Sequence, residues 1–220
     1  MADLSLWEKF IYYLQQNGSY ILSEFWRHFL MSIYGVLCAI VIGIPIGIFI
    51  AKNKRLSSWV ISLANILQTI PSLAMLSLLM IGMGLGANTV IVTVLIYSLL
   101  PIIKNTYIGM LNLPPDLLDA ATGVGMNKWQ RLRYVELPLS LSVIMAGIRN
   151  ALVMGVGITA IGSFIGAGGL GDIILRGTNV TDGGAIVLAG AVPTAIMAMA
   201  VDIGLEFVER RLTVQPTKIK

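Results

Sequence analysis

The chain has 220 residues, of which 56% are hydrophobic and 12% charged, and its mean hydropathy is +0.84. Such a composition belongs to a polytopic membrane protein and argues against an ordinary soluble domain. Its 15 Lys and Arg against 11 Asp and Glu leave a net charge of +4, while a single Cys38 and a single His28 exclude a disulfide framework and make a metal centre a poor expectation.

Residues 1–28 interleave Trp7, Phe10, Tyr12, Tyr13, Tyr20, Phe25 and Trp26 with Asp3, Glu8, Lys9, Glu24 and Arg27. Apolar runs this short fall below the about 20 residues that a membrane helix needs. The segment is therefore expected to lie outside, as an interfacial helix broken at Gly18, with His28 as an interfacial side chain. Asp3 and Glu8 occupy places where a secretory leader carries basic residues, so no leader is expected.

The first span is predicted over residues 29–51, which carry no charge. It contains Gly43-Ile44-Pro45-Ile46-Gly47, where a GxxxG spacing could admit a second helix. Glycine is common in membrane helices, however, and that plainer reading is preferred. Pro45 predicts a kink. Lys52, Lys54 and Arg55 follow, then a second span over 58–83, interrupted by Asn65, Gln68 and Pro71-Ser72. An uncharged turn over 84–88 leads to a third span, 89–103, which contains Pro101 and extends toward Tyr107. A fourth span covers 139–165 and includes Arg149; a glycine-rich connection, 166–184, precedes the fifth, 185–204.

Charge then orients the spans. The connections after spans one, three and five carry Lys52, Lys54 and Arg55, then Lys104, Lys128, Arg131 and Arg133, then Arg210, Arg211, Lys218 and Lys220. Those after spans two and four carry no Lys or Arg except Arg176. Basic residues stay on the cytoplasmic side, so the N-terminus is expected outside and the C-terminus in the cytoplasm. A sixth span over residues 10–28 would place Glu24 and Arg27 in the bilayer at high cost.

The connection over 112–138 is the longest polar stretch. Pro114-Pro115-Asp116 reads as a helix start, because proline fits the first turn and an acid suits the helix dipole. The helix is predicted from Pro115 to Thr122, with Gly123 and Gly125 free to take the left-handed conformation that ends it. Asn127 and Gln130 form a capping-box spacing for a second short helix that carries Trp129, Leu132 and Val135 and stops before Pro138.

This stretch resembles the cytoplasmic EAA loop of ABC-importer membrane subunits, in which Glu-Ala-Ala is followed at fixed spacing by Gly, Ile and Leu-Pro. Here Asp119-Ala120-Ala121, Gly125, Val135 and Leu137-Pro138 keep every spacing, with Asp for Glu and Val for Ile. The resemblance implies an all-α integral membrane protein like type I ABC-importer permeases. In that family the segment is a coupling helix that docks on an ATP-binding cassette ATPase, which would make Asp119, Ala120, Ala121 and Gly125 docking residues, with Leu118, Met126 and Trp129 beside them.

Three further stretches are similar to permeases of osmoprotectant importers, which move glycine betaine, carnitine, choline and related quaternary ammonium compounds: residues 65–74, 97–102 and 163–172. The resemblance covers residues 29–212 as the permease domain, leaving 213–220 as a cytoplasmic tail. It implies a second permease copy or paralogue, partner ATPases that hold ATP and Mg, an extracytoplasmic substrate-binding protein, and a bacterial cell membrane as the location. Methionine-type permeases share the plan but match these stretches less well.

Other motifs carry less. Gly166-Ala167-Gly168-Gly169-Leu170-Gly171 fits GxGxxG, but it follows a membrane span, so a dinucleotide fold is not expected. No P-loop, paired catalytic carboxylates or nucleophile elbow is present, so no enzyme and no cofactor on this chain are expected. Cations divided among three connections without stacking aromatics argue against nucleic acid. Gln68, Pro71 and Ser72, with Tyr97 and Pro101, are candidates for a wet translocation path, because a proline break exposes backbone carbonyls. Arg149, Asp202 and Glu206 read as an inner-interface cluster, with Glu206 paired to Arg210. An ion-coupled secondary transporter would need paired intramembrane acids and inverted repeats, and a membrane scaffold would need a dry interior around Gln68 and Pro71.

Overall fold

The computed structural model describes residues 5–212; the tail 213–220, with Lys218 and Lys220, lies outside the described residues. All regular elements among the described residues are helical. α1 (Leu6–Ala51) is one 46-residue helix that starts with a capping box, Ser5 and Glu8 each accepting from the other's backbone N–H. It does not separate at residue 28, so the expected interfacial segment runs directly into the first span. The break expected at Gly18 falls on Asn17 (φ −119, ψ 17), whose Nδ2 donates to the Tyr13 carbonyl one turn back at 3.1 Å. Gly18 and Pro45 both lie within the helix.

The second predicted span is two helices, α2 (Lys54–Thr69) and α3 (Ser72–Met83), bent by 95° at Ile70-Pro71. At 1.5 Å per residue they measure roughly 24 and 18 Å, so neither alone crosses a hydrocarbon core of about 30 Å. Ile70 is extended (φ −66, ψ 128), as a residue before proline prefers. α4 (Ala87–Leu111) is long enough to cross and extends past Tyr107.

α4 is the centre of the molecule, held between α1 and α7 (Leu137–Ile161). Both neighbours approach through small residues. On α1, Gly35, Ala39, Gly43 and Gly47 recur every four residues and therefore lie on one face. A β-carbon at Gly35 would come within 2.6 Å of Val94 Cγ1, and one at Gly43 within 2.9 Å of Ile102 Cγ2. The GxxxG spacing is thus a packing seam, contrary to the plainer expectation. On α7, a β-carbon at Gly147 would come within 2.7 Å of Asn105 Cβ and the Pro101 carbonyl, and one at Gly162, beyond its end, within 2.5 Å of Val90 Cγ2. Without a hydrophobic drive between helices in lipid, such close backbone approach is what dispersion packing requires.

Three short helices and a long last one complete the described residues. α5 (Pro115–Gly123) and α6 (Lys128–Arg131) form the polar connection, and α8 (Leu170–Thr178) precedes α9 (Gly184–Leu212). Hydrogen bonds sort the connections by end. At one end the N-terminal arm of α1 meets the glycine-rich region: Lys9 pairs with Asp182, the Tyr20 hydroxyl donates to Asp172 at 2.9 Å, and the Gly169 N–H donates to Glu24. The turn after α3 is there too, through the Gly86 N–H to the Ile165 carbonyl at 3.1 Å. At the other end Ser57 reaches Tyr107 at 3.3 Å, and Ser140 reaches Met110 Sδ at 3.6 Å.

His28, expected at an interface, is fully buried, with Nε2 donating to the Val156 carbonyl at 2.9 Å. Its burial follows from the continuity of α1, which lays this turn against α7 and the Gly168-Gly169 bend.

Candidate coupling helix and translocation path

α5 begins as its sequence dictates: Pro115 in the first turn, Asp116 beside the N-terminal dipole. It ends one residue later than expected, at Gly123, and only Gly125 is left-handed (φ +83). The Gly125 N–H donates to Thr122 O at 3.0 Å and the Met126 N–H to Ala121 O at 3.1 Å. That pair of bonds is a Schellman ending, which satisfies carbonyls the helix would otherwise leave bare. Asn127 Oδ1 then accepts from Trp129 N and Gln130 N at 3.1 and 2.9 Å, while Gln130 Oε1 accepts from Asn127 N at 2.9 Å, the capping box expected.

The second helix does not stop before Pro138. It passes through a π turn (Leu132–Glu136) into α7, so residues 128–165 form one helical run. Pro138 has no N–H and crowds the carbonyl one turn back; widening that turn accommodates both defects. The Leu137 N–H bonds Leu132 O, and Arg131 Nε donates to Glu136 Oε1 at 2.7 Å across the turn.

Of the expected docking residues, Asp119, Ala120, Gly125 and Trp129 are exposed, Leu118 and Met126 are half-buried, and Ala121 is only 5% exposed. Ala121 therefore packs inward, under the helix. Three exposed apolar side chains join the surface that the motif did not single out: Leu117, Val124 (75% exposed) and Tyr134 (65%). They border an apolar hollow with Ala120, Met126 and Pro138. Large exposed apolar groups on a connection between membrane helices are unusual for a free surface and suit a contact.

The candidate path residues divide between two places. Gln68, half-buried at the end of α2, donates to Met154 Sδ at 3.6 Å, and Pro71 is exposed at the bend, next to Ser72 at the start of α3. Tyr97, buried on α4, donates its hydroxyl to the Ile70 carbonyl, so the acceptor freed by the proline break is occupied by a side chain of this same protein. Pro101 lies one turn on, at the α4–α7 contact, where its carbonyl accepts from Asn105 Nδ2 at 2.8 Å.

Arg149 is an ion-pair hub. Its guanidinium meets Asp202 at 2.9 Å, Glu209 at 3.4 Å and Glu206 at 4.0 Å, tying α7 to α9. Glu206 also pairs with Arg210 as expected, while Glu209 was not read from the sequence.

Residues 43–214 match the family described as the binding-protein-dependent transport system inner membrane component. The chain belongs to that family. It is similar to the carnitine transport permease protein OpuCD of Listeria monocytogenes, 61% identical over 97% of this chain and 95% of the relative. It is also similar to the glycine betaine/carnitine/choline transport system permease protein OpuCD of Bacillus subtilis, 60% identical over 91% and 88%. Among solved structures, a chain of the inward-facing MetNI methionine ABC transporter superposes with a TM-score of 0.80, at 22% identity, covering 88% of this chain and 96% of that one. At that identity the likeness is one of fold, and it places the helices described above in the type I importer-permease architecture. As a member of the family, the chain is a multi-pass bacterial membrane protein of a transport system.

Proposed function

We propose that this chain is the permease subunit of an ATP-driven importer for quaternary ammonium osmoprotectants of the carnitine, glycine betaine and choline type. One observation carries the reading: 61% identity over 97% of the chain to a permease named for carnitine transport. In this reading the chain performs no covalent chemistry and binds no cofactor; ATP and Mg belong to a partner ATPase. A second permease, identical or paralogous, and an extracytoplasmic binding protein complete the system.

The α5 surface is the proposed docking site. Asp119 supplies an orienting charge, and Ala120 lets a partner backbone approach. Val124, Gly125 and Trp129 extend the contact toward Tyr134, while Ala121 supports it from beneath. Five crossings are proposed, α1, the broken pair α2–α3, α4, α7 and α9, with the N-terminus outside. Support comes from the shared end of Lys52, Lys104, Lys128 and Arg131, because basic residues favour the cytoplasmic side. The methionine-type alternative rests on shared fold at 22% identity, a much weaker likeness. A scaffold reading sits poorly with the exposed Pro71 at the bend.

Docking is tested by purifying the tagged permease with its ATPase after residues 119–125 are replaced by a Gly-Ser linker. Loss of the co-purified ATPase is expected; wild-type amounts would overturn the docking site.

A further inference from the structure

The junction between α5 and the membrane helices contains a charged pair that none of the docking residues accounts for. Glu136 is 3% exposed at the root of α7, and few charged side chains among the described residues are buried. Its partner Arg131 is partly exposed, and bonds it through Nε at 2.7 Å. The same guanidinium reaches Thr122 Oγ1 on the last turn of α5 at 3.5 Å. One residue group therefore touches both the short polar helix and the long membrane helix.

The spacing is informative. In an α-helix, residues five apart point about 140° from each other and do not meet. They meet here because Leu132–Glu136 is a π turn, which carries about one residue more than an α turn. If that turn relaxed to α-helical geometry, everything before it would rotate by about 100° relative to α7, carrying α6 and α5 with it. The Arg131–Glu136 pair forms only in the π register, so it holds the one register in which α5 keeps its present attitude. Beyond the turn, Ser140 Oγ donates to the Glu136 carbonyl at 2.8 Å, and Gly109 of α4 abuts Ser140, with a virtual β-carbon 3.1 Å from Ser140 Cβ. The pair thus stands between α5 on one side and α7 and α4 on the other.

We propose that Arg131 and Glu136 are positioning residues for energy coupling: they lock the π turn so that displacement of α5 by its ATPase moves α7 and α4 as one body. The inference rests on the docking reading of α5. It separates docking from transmission, since the pair is not part of the exposed contact surface formed by Asp119, Ala120 and Gly125. Loosening the turn should leave the ATPase bound and hydrolysing, while less solute moves per ATP.

The test uses the full transporter, permease with ATPase and binding protein, reconstituted in liposomes, with co-purified ATPase, ATP hydrolysis, carnitine uptake and thermal midpoint all measured. Arg131→Gln and Glu136→Gln are each expected to retain the ATPase yet lower uptake per ATP hydrolysed several-fold. Arg131→Lys keeps the charge and should recover much of the uptake. In Arg131→Gln the buried carboxylate loses its cation, so stability falls as well. The double variant R131Q/E136Q removes that stranded charge and should regain thermal stability, with uptake per ATP still low. Recovery of uptake together with stability in the double variant would show a merely structural pair and overturn the proposal, as would wild-type uptake per ATP in either single variant. Retention of the ATPase after replacement of residues 119–125 would instead overturn the docking reading.

Discussion

Gly47 of α1 lies against Thr106 of α4 so closely that a β-carbon on the glycine would stand 2.6 Å from the threonine Cβ and 3.0 Å from the Ile103 carbonyl. Thr106 is itself fully buried, so neither side has room to withdraw. Gly47→Leu is expected to force α1 and α4 apart at a cost of about 1–3 kcal/mol or more, the range for overpacking. Gly18→Ala, where no atom lies within 4 Å, should be neutral or slightly stabilising. Thermal unfolding of the two variants in detergent, followed by loss of monodisperse protein, makes the comparison.

The end of the coupling helix gives a second contrast. Gly125 has φ +83, where a β-carbon costs about 1–2 kcal/mol, while Gly123 is helical and unobstructed. Gly125→Ala should weaken ATPase co-purification by tilting or fraying α5; Gly123→Ala should leave it unchanged or raise it, since alanine extends helices better. Equal effects would indicate that side-chain bulk on the docking face, and not the left-handed stop, governs the contact.

At the broken span, Tyr97→Phe removes the hydroxyl that donates to the Ile70 carbonyl. A lost hydrogen bond of this kind costs about 1 kcal/mol. The expected result is a modestly lowered thermal midpoint and faster labelling of a Ser72→Cys reporter by a water-soluble thiol reagent, because the α2–α3 bend loses its tether to α4. An unchanged labelling rate would assign Tyr97 a packing role alone.

Arg149 pairs with three acids, one of which, Glu206, is shared with Arg210. Arg149→Ala is expected to lower the thermal midpoint, because Asp202 and Glu209 both lose the cation that ties α9 to α7. Arg149→Ala combined with Asp202→Asn should cost less than the sum of the two, the non-additivity that marks a shared network. Chemical or thermal denaturation of the wild type and the three variants in detergent completes the cycle.

Much of the architecture was legible because it rests on local chemistry. Long apolar runs marked the second half of α1 and most of α4, α7 and α9, Pro115 marked the start of α5, Gly125 its end and Asn127 the next cap. Features that depend on a partner were not. Gly43 and Gly47 look the same in a sequence whether or not a helix lies on them, and only Ile102 and Thr106 reveal the seam. Pro138 reads as a stop, yet a π turn absorbs its missing N–H. The inward face of Ala121 was not legible because a nine-residue helix is too short for its pattern to declare which face is covered. Glu209 joined Arg149 through a helix-to-helix contact 60 residues distant in sequence, which no spacing rule encodes.

The central claim is that ATP hydrolysis on a partner drives quaternary ammonium solutes through this chain by way of α5. Uptake of labelled carnitine into liposomes holding the full transporter tests it most directly, with and without ATP and with choline or methionine in excess. The account predicts uptake that requires ATP and the binding protein, is suppressed by choline and is indifferent to methionine. Carnitine accumulation without ATP, or transport that methionine blocks and choline does not, would contradict it.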